Sequence, residues 1–269
     1  MALTNGGGPR IFYELRGNVA GPALVMIRGF GRIALHWGAV LNQLERDFYL
    51  VLLDNRGAGR SGPARLPFAI ADLADDVTRV LDAAGIARAH VLGMSLGGMV
   101  ALRFAIDHGG RLDRLALVCT TAGGRISVPP PIAPFAAMAR AKLRPLAESV
   151  AVEAKVVLGA QFTAENPAIV EEWTRIAERY PIPLRTLVYQ AIAGKLHDAS
   201  RELDRIGAPT LVISCEADGL IPPENSRVLA RAIRGAELSW LAGDAHDLTT
   251  THPAASSALI REFLLRPQR

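Results

Sequence analysis

The sequence predicts an α/β fold, a mostly parallel sheet flanked by helices, with a helical segment inserted late in the chain. Three observations carry this. Short apolar runs rich in β-branched residues alternate with amphipathic segments, the pattern of strand–helix–strand units. Between Thr121 and Pro209 the strand signal stops and the chain reads as helices broken by prolines, among them Pro129 to Pro131, Pro145, Pro167 and Pro183. Half of the 269 residues are hydrophobic and 21% are charged, which suits one globular unit of this length.

Ile11 to Leu15 reads as an edge strand, and Ala23 to Ile27 and Phe48 to Leu53 as central strands with a helix over His36 to Arg46 between them. Ile70 to Ala84 is the next helix. Ala89 to Met94 is a strand that runs directly into a helix from Leu96 to His108, followed by a strand at Leu115 to Cys119. Thr210 to Ser214 and Leu238 to Leu241 are the last two strands. Helices are expected at Glu224 to Ile233 and at Pro253 to Leu264, where Pro253 suits a first turn. The organisation that follows is a core of residues 1–122 and 208–269 and a helical cap of residues 123–207, with Pro129 to Pro131 as a stiff hinge and no internal repeats.

The net charge of +4 comes from 30 basic and 26 acidic residues scattered along the chain, so no nucleic-acid surface is expected; Arg140, Lys142 and Arg144 fit a solvated helix face. Cys119 and Cys215 sit in apolar strands, as small hydrophobes and not as a disulfide framework. No apolar run reaches the roughly 18 to 20 residues that spanning a membrane needs, and Met1 to Pro9 lacks the features of a signal peptide. A soluble cytoplasmic protein is the expectation, with a homodimer left open.

Gly93-Met94-Ser95-Leu96-Gly97 has the pattern G-x-S-x-G, and its context matters more than its letters: a strand precedes it and a helix follows. A turn sharp enough to lift a serine hydroxyl clear of the sheet excludes bulky neighbours, a need that Gly93, Gly97 and Gly98 meet. The helix that starts after Ser95 also directs its positive end at the hydroxyl.

A serine hydroxyl is a weak nucleophile unless a base takes its proton, and the base needs an acid to set its tautomer. In the order serine, acid, histidine, Asp218 follows the strand Thr210 to Ser214 and His246 follows the final strand. Among the six histidines, His90 lies in a strand, His108 ends a helix and His252 precedes Pro253, so none is well placed. Asp244 and Asp247 rival Asp218, but so close a neighbour rarely reaches the ring nitrogen that faces away from the serine. The oxyanion formed on attack would be met by the backbone N–H groups of Phe30 and Leu96.

On these motifs the chain resembles the α/β-hydrolase superfamily over nearly its whole length, in the serine esterase and lactonase-like branch with a helical cap. Asp54-Asn55-Arg56-Gly57-Ala58-Gly59-Arg60-Ser61 looks like the family's D-x-R-G-x-G-x-S loop, and Ala208 to Ile213 like the approach to its acid-bearing strand. The resemblance implies an eight-stranded sheet, a cap over the site, no cofactor, and carboxylic esters, lactones or thioesters as substrates, cleaved through an acyl-enzyme on Ser95. No metal ligand is assigned. The sequence departs from the family in two places. Arg28 stands where the oxyanion loop usually has histidine, and Thr251 stands where a glutamate is usual. Arg28 would pair with an internal acid such as Asp54 or Asp244, or else bind a substrate carboxylate. Met94 and the cap residues Phe135, Met138 and Trp173 are candidate contacts to a small-molecule substrate with an apolar acyl or alkyl group.

Other functions compete with this one. Gly29-Phe30-Gly31-Arg32-Ile33-Ala34 fits G-x-G-x-x-G/A after a strand, with Asp54 at the next strand end, as in NAD(P)-binding oxidoreductases. That reading leaves the order of Ser95, Asp218 and His246 unexplained. A hydrolase-fold ligand receptor with slow turnover, and a carbon–carbon bond hydrolase or perhydrolase, use the same residues.

Overall fold

A computed structural model describes residues 1–267. Eight strands form one sheet: β1 (Ala2–Leu3), β2 (Phe12–Gly17), β3 (Ala23–Ile27), β4 (Tyr49–Leu53), β5 (Ala89–Met94), β6 (Leu112–Val118), β7 (Thr210–Cys215) and β8 (Glu237–Leu241), in the order β1-β2-β4-β3-β5-β6-β7-β8. β1 and β2 are antiparallel to their neighbours; the other strands run parallel.

Alternation along each strand feeds two layers of core. Val25, Ile27, Val51, Leu53 and Val91 face one cluster, with α2 (Ile70–Ala83) and α3 (Leu96–Asp107) packed over it. Leu24, Met26, Leu50, Leu52 and Leu92 face the other, beneath α1 (Ala39–Leu44) and the C-terminal helix. Strands buried on both faces read as continuous apolar runs, which is why the sequence marks them so clearly.

The chain from β6 to β7 forms five helices: α4 (Ile132–Ala141), α5 (Leu146–Leu158), α6 (Ala160–Glu165), α7 (Pro167–Arg179) and α8 (Leu184–Leu196). Pro131, Pro145 and Pro183 are the residues before α4, α5 and α8, and Pro167 opens α7, so these prolines begin helices as well as break them. Val150, Ala154, Leu158 and Trp173 form a small cluster of their own. Ala199, Leu203 and Ile206, which the sequence assigns to the insertion, pack instead into the main core, and Ala199 N–H bonds the Ala122 carbonyl at 2.9 Å. The chain ends with α9 (Glu224–Ala232), α10 (Leu248–Thr251) and α11 (Pro253–Leu264).

Three local expectations change. β2 is not at the edge, because two residues near the N-terminus, too few to show alternation, pair with it as β1. The helix expected over His36 to Arg46 is split at Gly38, whose φ of 51° lies in the left-handed region: a short 3₁₀ turn, Ala34–Trp37, precedes α1. β6 begins three residues early, at Leu112, because Leu112 pairs with Ala89 despite the charged Asp113 and Arg114 that follow it.

Candidate active site

Ser95 lies between β5 and α3 with φ 55° and ψ −123°, an unfavourable region for a residue with a Cβ. Its neighbours hold it there. Ser95 N–H donates to the Val118 carbonyl at 2.9 Å, and Thr120 Oγ1 donates to the Ser95 carbonyl at 2.7 Å. At Gly97 a Cβ would stand 2.1 Å from the Ile27 carbonyl oxygen, so only glycine lets α3 start this close to β3. Gly29 serves the facing loop: a Cβ there would stand 3.0 Å from Ser95 Cβ and 3.4 Å from its Oγ. The loop after β3 therefore lies directly against the serine.

Asp218 and His246 come from the loops after β7 and β8, and His246 Nδ1 is 2.8 Å from Asp218 Oδ2. A carboxylate only accepts, so Nδ1 carries the proton and Nε2 is left as the basic nitrogen. The other carboxylate oxygen accepts the N–H groups of Leu220 and Ile221 at 2.8 and 2.9 Å, which orients it. Burial alone would raise the Asp218 pKa; the charge and hydrogen bond of His246, with the two N–H groups, outweigh it and hold the carboxyl below its usual range. His246 Nε2 is buried and has no hydrogen-bond partner among the described residues. Ala217 N–H bonds the Gly243 carbonyl at 3.1 Å and ties the two loops together.

Phe30 and Leu96, the expected oxyanion donors, flank Ser95. Phe30 follows Gly29 on the loop pressed against the serine, and Leu96 is the first residue of α3. Among the described residues neither N–H has a hydrogen-bond partner, as donors held for a ligand require.

The expected substrate contacts fare differently. Arg28 pairs with Asp247, not with Asp54 or Asp244, and it is 2% exposed. Its guanidinium also donates to Thr249 Oγ1 at 3.0 Å and lies 4.7 Å from the Trp37 ring, so it is enclosed by protein groups. Met94 is buried in the core under α1, with its sulfur 3.3 Å from Arg28 Nη1. Trp173 is buried in the small cluster of the insertion, with the Arg32 guanidinium 4.0 Å from its ring and His36 edge-on to it. Met138 is buried and Phe135 exposed, both on α4.

Two of the rival acids and bases are engaged elsewhere. Asp247 is held by Arg28, Thr249 and the Thr250 N–H, and His108 bonds Asp75. Asp54, which a dinucleotide site would need for a ribose, has both oxygens occupied by Ala34 N–H and Arg60. Gly29 to Ala34 also leads into a four-residue 3₁₀ turn and not into a helix able to receive a pyrophosphate.

Sequence reasoning missed Cys119 and Gln190. The Cys119 sulfur, an Asp218 oxygen and a His246 nitrogen lie within 4.8 Å of one another, a set that could in principle hold a metal. The neighbouring Cys215 thiol and burial both push the Cys119 thiol up, which opposes the thiolate a metal requires, and Asp218 and His246 already bond each other. The donor set fits a proton-transfer pair better than a metal centre. Gln190 on α8 accepts the Gly31 N–H at 3.0 Å across 159 residues of sequence, a separation at which no motif signals the contact.

This sheet order, with a serine at a strained turn between its fifth strand and the following helix, defines an α/β hydrolase. The chain belongs to the α/β hydrolase fold family, whose match covers residues 22–253. It is similar to RutD, named as a carbamate hydrolase, of Pseudomonas syringae pv. syringae, with 32% identity over 90% of this chain and 93% of the relative. RutD of Caulobacter sp. strain K31 is 29% identical over 94% and 95%. A crystal structure of a hydrolase from Pseudomonas aeruginosa PA01 superposes with a TM-score of 0.85 at 28% identity, covering 98% of this chain and 97% of that one. The protein is a hydrolase enzyme, and no helix among the described residues is long and apolar enough to cross a membrane.

Proposed function

We propose that the protein is a serine hydrolase that cleaves a small carboxylic ester, lactone or thioester through an acyl-enzyme on Ser95, with α4 to α8 as a cap over the site. The observation that carries this is the pair of His246 and Asp218, which leaves a buried, unpartnered Nε2 on the side of the sheet where Ser95 is lifted from its strand. His246 Nε2 takes the Ser95 proton as Oγ attacks the carbonyl carbon. The negative oxygen is received by the Phe30 and Leu96 N–H groups at the positive end of α3. Collapse expels the leaving group, which receives the proton from His246; water, deprotonated by the same nitrogen, then releases the acid and restores Ser95.

A carbamate presents the same carbonyl to the same groups, and the name of the RutD relatives makes it the second substrate class to test. The experiment is a panel of esters, lactones, thioesters and carbamates on wild type and Ser95→Ala, with mass spectrometry of Ser95 after a fluorophosphonate. Turnover that Ser95→Ala abolishes, with one adduct on Ser95, supports the reading. Turnover that survives the substitution refutes it.

A further inference from the structure

One face of α8 packs against the Gly31 loop at one end and the Leu96 side chain at the other. Leu187, Gln190 and Gly194 follow at spacings of three and four and share that face. Leu187 Cδ2 lies 3.4 Å from where a Cβ on Gly31 would stand, beside Phe30. At the other end, a Cβ on Gly194 would stand 3.0 Å from Leu96 Cδ1. Gln190 is the polar residue between them, and it is 0% exposed.

Its amide is anchored at one end only. Gly31 N–H can be received only by the oxygen, so the 3.0 Å contact identifies Oε1 and assigns the amino group to the opposite side. That Nε2 is buried and has no partner among the described residues. A buried donor left unsatisfied is costly, so such groups call for an explanation, and a ligand acceptor is one.

The topology gives the side of the substrate. The strand order is β3-β5-β6-β7-β8, so the Gly31 loop after β3 and the loops bearing Asp218 and His246 flank Ser95 from opposite sides. A leaving group takes its proton from His246 and therefore lies toward β7 and β8. Gln190, tied to the loop after β3, lies on the other side of Ser95 from these loops.

Resting on the serine hydrolase reading, we propose that Gln190 Nε2 is a specificity-determining donor to an acceptor oxygen in the acyl part of the substrate, so that the enzyme selects oxygenated acyl groups, such as alkoxyacetyl, over plain alkanoyl groups of the same length.

The test compares phenyl methoxyacetate with phenyl butyrate, in which one CH₂ replaces the ether oxygen. The ratio of their kcat/KM values in a variant, divided by the ratio in wild type, removes the intrinsic reactivity of the two esters. Gln190→Met, which removes both ends of the amide, should lower the ratio about tenfold, the equivalent of one hydrogen bond. Gln190→Glu keeps an acceptor for Gly31 N–H and should lower the ratio similarly at pH 8. Calorimetric binding of the two esters to Ser95→Ala and Ser95→Ala/Gln190→Met reads the same preference without turnover. A binding preference for methoxyacetate in Ser95→Ala that the added Gln190→Met removes supports the proposal even if Ser95 proves not to be the nucleophile. Equal losses on both esters, in rate and in binding, overturn it and leave Gln190 a support for the Gly31 loop.

Discussion

Arg28 and Asp247, 219 residues apart in sequence, form an enclosed ion pair that joins the loop after β3 to the residue following His246. One side of the pair carries the proposed oxyanion donor Phe30 and the other the proposed base. Asp247 also donates its N–H to the Val157 carbonyl of α5 at 2.9 Å, so one position couples the two loops and the inserted helices.

Removing one member of this pair leaves the other charge buried. Asp247→Ala should cost about 3–5 kcal/mol in urea unfolding, whereas Arg28→Met/Asp247→Leu should recover most of the loss. A double variant no more stable than Asp247→Ala would mean that the aspartate acts through Thr249 and Thr250 and not through Arg28.

Asp218→Asn should lower kcat on the order of ten-thousandfold with little change in stability, because the amide presents the wrong hydrogen-bond partner to Nδ1. Asp244→Asn should stay near wild type. The reverse pattern would reassign the acid.

Stability should fall with pH in two separate windows. Burial, then the nearby Arg103 charge, lower the His197 pKa to about 4, from 6.5 in the unfolded chain. The unfolded state therefore binds more protons between these values, and this contribution, complete above pH 6.5, is lost as pH falls to about 4, worth roughly 3 kcal/mol at most. His197→Asn should flatten the unfolding curve in that window. Burial would raise the Asp247 pKa, but Arg28 holds it at about 2, below the ordinary 3.8, so its contribution is present above 3.8 and lost toward pH 2. The His197 substitution should leave that lower window intact.

Gly29→Ala should separate folding from chemistry. The added Cβ stands 3.0 Å from Ser95 Cβ and 3.2 Å from the Met94 carbonyl, so the loop must shift by a few tenths of an ångström. A loss of kcat of tenfold or more with the melting temperature nearly unchanged is expected; unchanged kcat would remove the loop from the proposed oxyanion site.

The elements buried on both faces, β3, β4, β5 and β7, were legible because a strand inside two layers is apolar throughout. The placement of Ser95, Asp218 and His246 at strand ends was legible, and the structure brings His246 and Asp218 to 2.8 Å. What escaped depends on contacts between distant residues. Asp247 reads in the sequence as a rival acid, yet its partner is set by how the β3 and β8 loops meet. The split at Gly38 is a backbone feature that amphipathic spacing does not register. Gln190 sits in an ordinary amphipathic helix, and only the fold shows one end of its amide anchored and the other free.

The small cluster of Val150, Ala154, Leu158 and Trp173 has a dynamic consequence. Apart from a few polar latches such as Arg32 with Glu153, these helices are held by far less apolar surface than the sheet. Amide protons in α5 and α7 should exchange through partial openings at rates insensitive to low urea, while those of β3 and β5 await global unfolding. The proposed cap would then breathe on its own clock, and traffic of substrate and product would be timed by that breathing more than by the rigid sheet.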